Sequence, residues 1–227
     1  MGVVGWYGKL PSAGDFLDRR LPPEFRNPWD RWLQYGLAHS RHAHGDRWSE
    51  MYLTFPVWRF LLPRGHLGPD AWCGVLMPSV DRVGRHFPLT ICENLPAAEA
   101  LPGLRAIDAH LGQFVHAGLD AIDGMTVDEF DTRLGALKAM PREDGRDGMR
   151  LEPFLRESTT ACWLLTEPLH DALARAAEQA MIENLSDRAL WWLPPDDADP
   201  GTMRLVRMPL AAQLLDQLIS NPTHADR

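Results

Sequence analysis

Ser79, Asp81 and His86 lie within one polar stretch, Val75–Thr90, and supply the three side-chain types of a hydrolytic triad. A hydroxyl, a carboxylate and an imidazole make an activated nucleophile only when the base stands between the other two in space. Here Ser79 and Asp81 are separated by a single residue, and no Gly-x-Ser-x-Gly elbow surrounds the serine. The spacing argues against a triad, so a hydrolase or phospho-transfer enzyme using Ser79, Asp81 and His86 is the rival reading. Arg82 and Arg85 suggest different chemistry, because a guanidinium fork takes a carboxylate or phosphate through two parallel hydrogen bonds. Asp81 with Arg82 and Arg85 is expected to form ion pairs that hold a loop. The alternative is a preorganised surface for an acidic or phosphorylated partner.

A second polar stretch, Lys9–Arg20, contains Lys9, Ser12, Asp15 and Arg19 and is punctuated by Pro11 and Gly14. Asp15 with Arg19 is read as another ion pair, and the two loops as neighbours. These eight residues (Lys9, Ser12, Asp15, Arg19, Ser79, Asp81, Arg82 and Arg85) are the candidate interaction or loop-structuring set. No residue is assigned a catalytic role.

Other chemistry is weaker. Gly2, Gly5 and Gly8 are spaced like a phosphate loop, yet no strand precedes them and the dinucleotide fingerprint is absent. His39, His42 and His44 cluster without the Cys or second His pair that would complete a zinc site. They read as cations at a helix C-terminus. Cys73, Cys92 and Cys162 lack Cys-x-x-Cys spacing and sit in apolar runs, as reduced core thiols do. Asp196 and Asp197 fall in a Pro-rich turn and read as solvated. No metal or cofactor is implied.

The elements that must carry these loops follow from periodicity. Residues 2–8 read as a strand. Asn27 reads as an N-cap with Pro28 at the first helical position, and Trp29, Trp32, Leu33, Gly36 and Leu37 place a helix over about 28–43. A short helix from Trp48 is followed by strands at 57–62, 71–77 and 87–92, whose short connections allow only an antiparallel meander. Pro78 and Pro88, which cannot donate to a ladder, bracket the loop between the last two. Leu104 to Ile122 forms a helical stripe, and Thr126-Val-Asp-Glu129 is a capping box opening another. A connector at 141–150, a strand at 160–165 and a helix at 166–181 are expected next. Strands at 189–193 and 203–208 then lead into a terminal helix starting at Pro209.

This order predicts an α/β fold: one three-layer sandwich with a mixed, largely antiparallel sheet and helices on both faces. The chain of 227 residues reads as a single domain, 1–227, with a possible subdivision near 95–100 where the charge changes. Residues 1–95 carry a net +2 and the remainder a net −10. No dense basic face is available, which speaks against nucleic acid as a partner. There is no run of about 18 apolar residues, hence no expected membrane span. No secretory signal is legible at the N-terminus, so the expected location is cytoplasmic.

Four ordered blocks carry a resemblance. Gly5-Trp-Tyr-Gly-Lys-Leu-Pro-Ser-Ala-Gly-Asp-Phe16, Pro28-Trp-Asp-Arg-Trp-Leu33, Pro56-Val-Trp-Arg-Phe60 and Gly74-Val-Leu-Met-Pro-Ser-Val-Asp-Arg-Val-Gly-Arg-His-Phe-Pro-Leu-Thr90 closely resemble the TagF (ImpM) family. These are accessory proteins of bacterial type VI secretion systems. Leu190-Trp-Trp192 and the helix after Pro209 extend the similarity over nearly the whole chain. The resemblance implies a cytoplasmic, non-enzymatic protein that represses type VI secretion post-translationally by acting through the forkhead-associated scaffold protein of the apparatus. It also implies a link to the threonine-phosphorylation pathway that controls assembly. Some members are fused to that pathway's phosphatase, and this chain, lacking its motifs, reads as the stand-alone form. The resemblance assigns no catalytic residues and no contact residues.

Overall fold

A computed structural model describes residues 2–96, 103–137, 140, 184–195 and 201–220. The strands are β1 (Val4–Gly8), β2 (Leu17–Arg19), β3 (Trp58–Leu62), β4 (Ala71–Met77), β5 (Leu89–Leu95), β6 (Arg188–Leu193) and β7 (Thr202–Arg207). They form one seven-stranded sheet in the order β2-β1-β5-β4-β3-β6-β7. The largely antiparallel sheet of the expectation is antiparallel at every pairing among the described strands. The helices are α1 (Pro23–His44), α2 (Trp48–Thr54), α3 (Leu104–Ile122), α4 (Val127–Gly135) and α5 (Ala212–Ile219).

Side-chain alternation along each strand divides the core in two. Trp58, Phe60 and Leu62 of β3, Trp72 and Leu76 of β4, and Trp191 of β6 face one side, where they meet α1, α2 and α5. Leu61, Cys73, Val75, Met77 and Ile91 face the other, against Ile107, Leu111 and Phe114 of α3 and Phe130 and Leu134 of α4. Both faces of the sheet are thus covered, and all seven residues of β4 are buried. That explains why the central strands read as continuous apolar runs rather than as alternating ones.

The α1 side is built from aromatic rings. Trp29 stacks nearly parallel to Trp191 at 6.2 Å between ring centroids and meets Phe60 at 5.1 Å. Four of its buried indoles, Trp29, Trp32, Trp58 and Trp72, find carbonyl or hydroxyl acceptors, whereas Trp48 and Trp191 Nε1 are buried without one. Trp29 Nε1 donates to Thr90 Oγ1 at 2.9 Å, Trp32 Nε1 to the Ala211 carbonyl at 3.0 Å and Trp58 Nε1 to the Leu218 carbonyl at 3.0 Å. Gly36 lets α5 come close: a Cβ there would stand 2.6 Å from Leu215 Cβ. On the α3 side His110 Nε2 and Glu93 Oε2 are 2.6 Å apart in a buried pair.

Several boundaries differ from the sequence reading. The first helix begins at Pro23, not Pro28, because the Pro22 carbonyl already accepts from Phe25 and Arg26. Pro28 therefore lies inside the helix, and Asn27 is not its cap. The Thr126–Glu129 capping box is formed as expected. The terminal helix starts at Ala212, where the extended Ala211 precedes it, rather than at Pro209. The third meander strand begins at Leu89, after Pro88. The Lys9–Arg20 loop also contains the short edge strand β2, paired with β1 through Trp6–Arg19, Tyr7–Asp18 and Gly8–Leu17. The connector at 141–150, the strand at 160–165 with Cys162, the helix at 166–181 and the Asp196–Asp197 turn lie outside the described residues.

Among the described residues no helix is long and apolar enough to cross a membrane. Nor does any group of three His, Cys, Asp or Glu side chains come together to hold a metal ion there. His39 and His42 are exposed, and His44 pairs with Asp216 of α5 at 2.8 Å.

Candidate functional site: the Pro78–Pro88 corner

Pro78 stops β4, and the chain then makes a small hairpin of its own before β5. Val80 and His86 form an isolated antiparallel bridge, and Phe87 N–H donates to the Ser79 carbonyl at 3.1 Å. Asp81 N–H donates to the Arg85 carbonyl at 3.1 Å, and Gly84 N–H to the Asp81 carbonyl at 2.8 Å. Gly84 supplies the positive φ of 81° that closes the turn.

Asp81 is the hub of this corner. Its side chain is fully shielded from solvent and accepts four hydrogen bonds. Oδ1 takes Val83 N–H at 3.1 Å and Arg85 N–H at 2.9 Å, whereas Oδ2 takes Lys9 Nζ at 3.0 Å and Arg85 Nε at 2.6 Å. Burial by itself pushes this carboxyl up. The Arg85 N–H, the Lys9 ammonium, the Arg85 guanidinium and the Val83 N–H outweigh it and hold Asp81 well below the usual carboxylate range.

The two loops are joined directly. Ser79 Oγ donates to the Lys9 carbonyl at 2.7 Å, Arg82 N–H to the Ala13 carbonyl at 2.8 Å and Arg85 Nη2 to the Gly14 carbonyl at 2.6 Å. Lys9 Nζ also lies 4.7 Å from the centroid of the Phe16 ring, which packs edge-on against Phe87. The expected adjacency of loops 9–20 and 78–88 is therefore present, and its ion-pair centre is Asp81 with Lys9 and Arg85. The side chain of Arg82 takes no part in it.

The three remaining candidates separate. Ser12 Oγ is buried without a hydrogen-bond partner. Asp15 accepts from Phe16 N–H at 2.8 Å rather than from Arg19, so the expected Asp15–Arg19 pair is not made. Arg19 sits on β2, donates to the Asp18 carbonyl at 2.8 Å and lies 5.9 Å from the Trp6 ring. Arg20, not among the candidates, bonds Asp131 of α4 at 2.8 Å.

The rival triad does not assemble. The Ser79 hydroxyl, buried, is committed to the Lys9 carbonyl, and His86 Nε2 bonds Ser49 Oγ at 3.1 Å. The hydroxyl-to-imidazole bond that would activate a nucleophile is not made. Burial, with Arg41 and Lys9 nearby, holds the His86 imidazole below its ordinary pKa. Sequence reasoning missed Tyr52 altogether. Its hydroxyl donates to the Ser79 carbonyl at 2.8 Å and lies 3.1 Å from Ser79 N. The signal available was the spacing of Trp48, Tyr52 and Phe55, which marks one buried face of α2.

The sequence profile of the TagF N-terminal domain, described as type VI secretion system-associated, matches residues 5–137. The chain belongs to the TagF family. The match takes in both loops of the corner, β1 from Gly5 onward, β2–β5 and α1–α4. The crystal structure of PA0076 from Pseudomonas aeruginosa PAO1 is similar at 31% identity with a TM-score of 0.76, covering 96% of this chain and 94% of that one. Among curated proteins none matches the chain by sequence. A role associated with type VI secretion follows from the TagF membership, and the α/β sheet is the one PA0076 shares.

Proposed function

We propose that this TagF protein is a non-enzymatic binding module of the cytoplasm that represses type VI secretion post-translationally. It does so by holding a component of the apparatus, the forkhead-associated scaffold protein. The observation that carries this reading is the division of labour at the corner. Ser79 and Asp81, the groups with catalytic potential, are consumed by Lys9, Arg85 and backbone N–H groups inside the loop. What faces outward is Arg82, Val83, Gly84 and Arg85, a rigid surface suited to contact rather than to chemistry.

We read the chain as one domain. β6 and α5, which lie beyond the matched region, supply the ladder partner of β3 and the Trp191 ring stacked on Trp29. A match ending at residue 137 thus stops short of the core it belongs to.

Affinity capture with the full chain from cells carrying an active type VI system tests the reading. The scaffold is expected in the captured fraction, with secretion rising on deletion of the chain and falling on its overproduction. Capture without the scaffold, together with unchanged secretion in both strains, overturns it.

A further inference from the structure

The charges around Gly14 go further, and the inference rests on the binding-module reading above. Two guanidinium groups reach this one residue. Arg85 Nη2 donates to its carbonyl at 2.6 Å, and Arg82 Nη2 lies 3.4 Å from where a Cβ on Gly14 would stand. Like charges held side by side repel, and the nearby carboxylate, Asp81, reaches only Arg85 of the two. Asp81 spends one oxygen on Lys9 and Arg85 Nε and the other on backbone N–H groups. The Arg82 guanidinium makes no ion pair or hydrogen bond with any described residue. Lys9, Arg82 and Arg85 against Asp15 and Asp81 leave a net positive charge here, in a chain whose total is −8.

Apolar surface flanks the pair. Phe16 is 44% exposed and Val83 is 69% exposed. The hairpin carrying Arg82 and Val83 is already closed by its own hydrogen bonds, so little ordering opposes binding.

We propose that the arginine pair at Gly14 is the docking site for an acidic peptide segment of the apparatus partner. Its carboxylates take the free N–H groups of Arg82 and Arg85, while an adjacent apolar side chain rests on Phe16 and Val83. Carboxylates fit better than phosphate. A guanidinium pair can take either anion, but the free backbone N–H nest that would favour phosphate is missing, since the N–H groups of Arg82, Val83, Gly84 and Arg85 are all donated within the two loops. An anionic membrane would call for a cluster of cations rather than this small excess.

The test is fluorescence anisotropy with a labelled peptide, Glu-Asp-Leu-Glu-Asp-Phe-Glu-Glu, on the full chain. Salt-sensitive binding is expected. Arg82→Glu should weaken it by about tenfold or more, the loss of a charge-assisted contact plus repulsion. Val83→Ser should weaken it less, and Arg31→Glu, on an exposed turn of α1, should leave it unchanged. The circular dichroism of Arg82→Glu should match the wild type, since that side chain has no bonds to lose. Equal binding of the Gln/Asn version of the peptide overturns the proposal. So does equal binding by Arg82→Glu, binding only to a phosphothreonine version, or binding to phosphatidylserine vesicles in place of the peptide. In scaffold capture, recovery by the wild type and not by Arg82→Glu supports the site, and recovery by both overturns it. If neither recovers the scaffold, the scaffold reading fails and the peptide titration alone decides the site.

Discussion

Lys9 reaches from the end of β1 to Asp81, 3.0 Å away, and both side chains are almost wholly shielded from water. A cation and an anion from distant parts of the sequence thereby fasten two loops that otherwise share a few hydrogen bonds. Removing one partner strands the other in a poorly solvated place, which costs more than the intact pair contributes.

Lys9→Met should therefore lower the melting temperature markedly at neutral pH. Arg85→Ala, at a side chain 57% exposed, should lower it only slightly. Thermal unfolding of both variants by circular dichroism checks the order, and an Arg85→Ala loss as large as that of Lys9→Met would contradict it.

Asp81 also predicts a pH dependence. Its carboxyl is held below the ordinary range in the folded chain, so the unfolded chain binds the proton more readily. The stability it contributes is complete above the unfolded value of about 4 and is lost as the pH falls through the folded one. Asp131, held down chiefly by its hydrogen bond from Arg20, acts in the same direction. Urea unfolding between neutral pH and about 3 should show wild type and Asp81→Asn converging as the medium acidifies.

His86 should titrate below its ordinary value in a proton NMR titration. Burial is the main cause, and Arg41 adds to it. Arg41→Ala should move the midpoint upward without restoring the ordinary value. An unchanged midpoint in that variant would mean that Arg41 does not act on the imidazole.

Tyr52→Phe removes one hydroxyl and leaves the buried Ser79 N–H without its partner, while the Ser79 carbonyl keeps only the Phe87 N–H. The expected loss is about 1–3 kcal/mol, the cost of unsatisfied buried polar groups. Denaturant unfolding at constant m-value measures it.

Gly36→Val should destabilise the α1–α5 contact by about 1–3 kcal/mol through overpacking against Leu215. Leu215→Ala in the same chain should cost less than it does alone, because the new methyls fill part of the cavity it leaves. Strict additivity in the double-mutant cycle would refute the contact.

Strands β3 and β4 were legible because a sheet covered on both faces forces continuous apolar runs. The Thr126 capping box was legible because its signal is local. The start of α1 was misread for a matching reason: Asn27-Pro28 and Pro22-Pro23 both look like helix beginnings. The choice between them rests on Phe25, which is fully buried in the aromatic core one turn before Trp29. At the corner, the sequence indicated that Asp81 would meet arginine. It placed Lys9 in the neighbouring loop but could not indicate that Lys9 would pair with Asp81 or Tyr52 with Ser79, because a partner far away in the chain leaves no spacing to read. Asp15 and Arg19 are four apart and looked paired on that ground alone, but β2 turns Arg19 toward the Trp6 face instead.

The join between β3 and β6 has a consequence for how the chain is made. Residues 58–62 emerge from the ribosome long before residues 188–193, so β3 waits with one edge open and Phe60 without its Trp191 neighbour. Sheet closure across such a separation is slow compared with local pairing. Burial of Trp191 should then be the last event in refolding, seen by stopped-flow fluorescence as a phase that Trp191→Phe abolishes. Until it is complete, the newborn protein presents an unpaired strand edge, the surface that chaperones and unwanted neighbours both recognise.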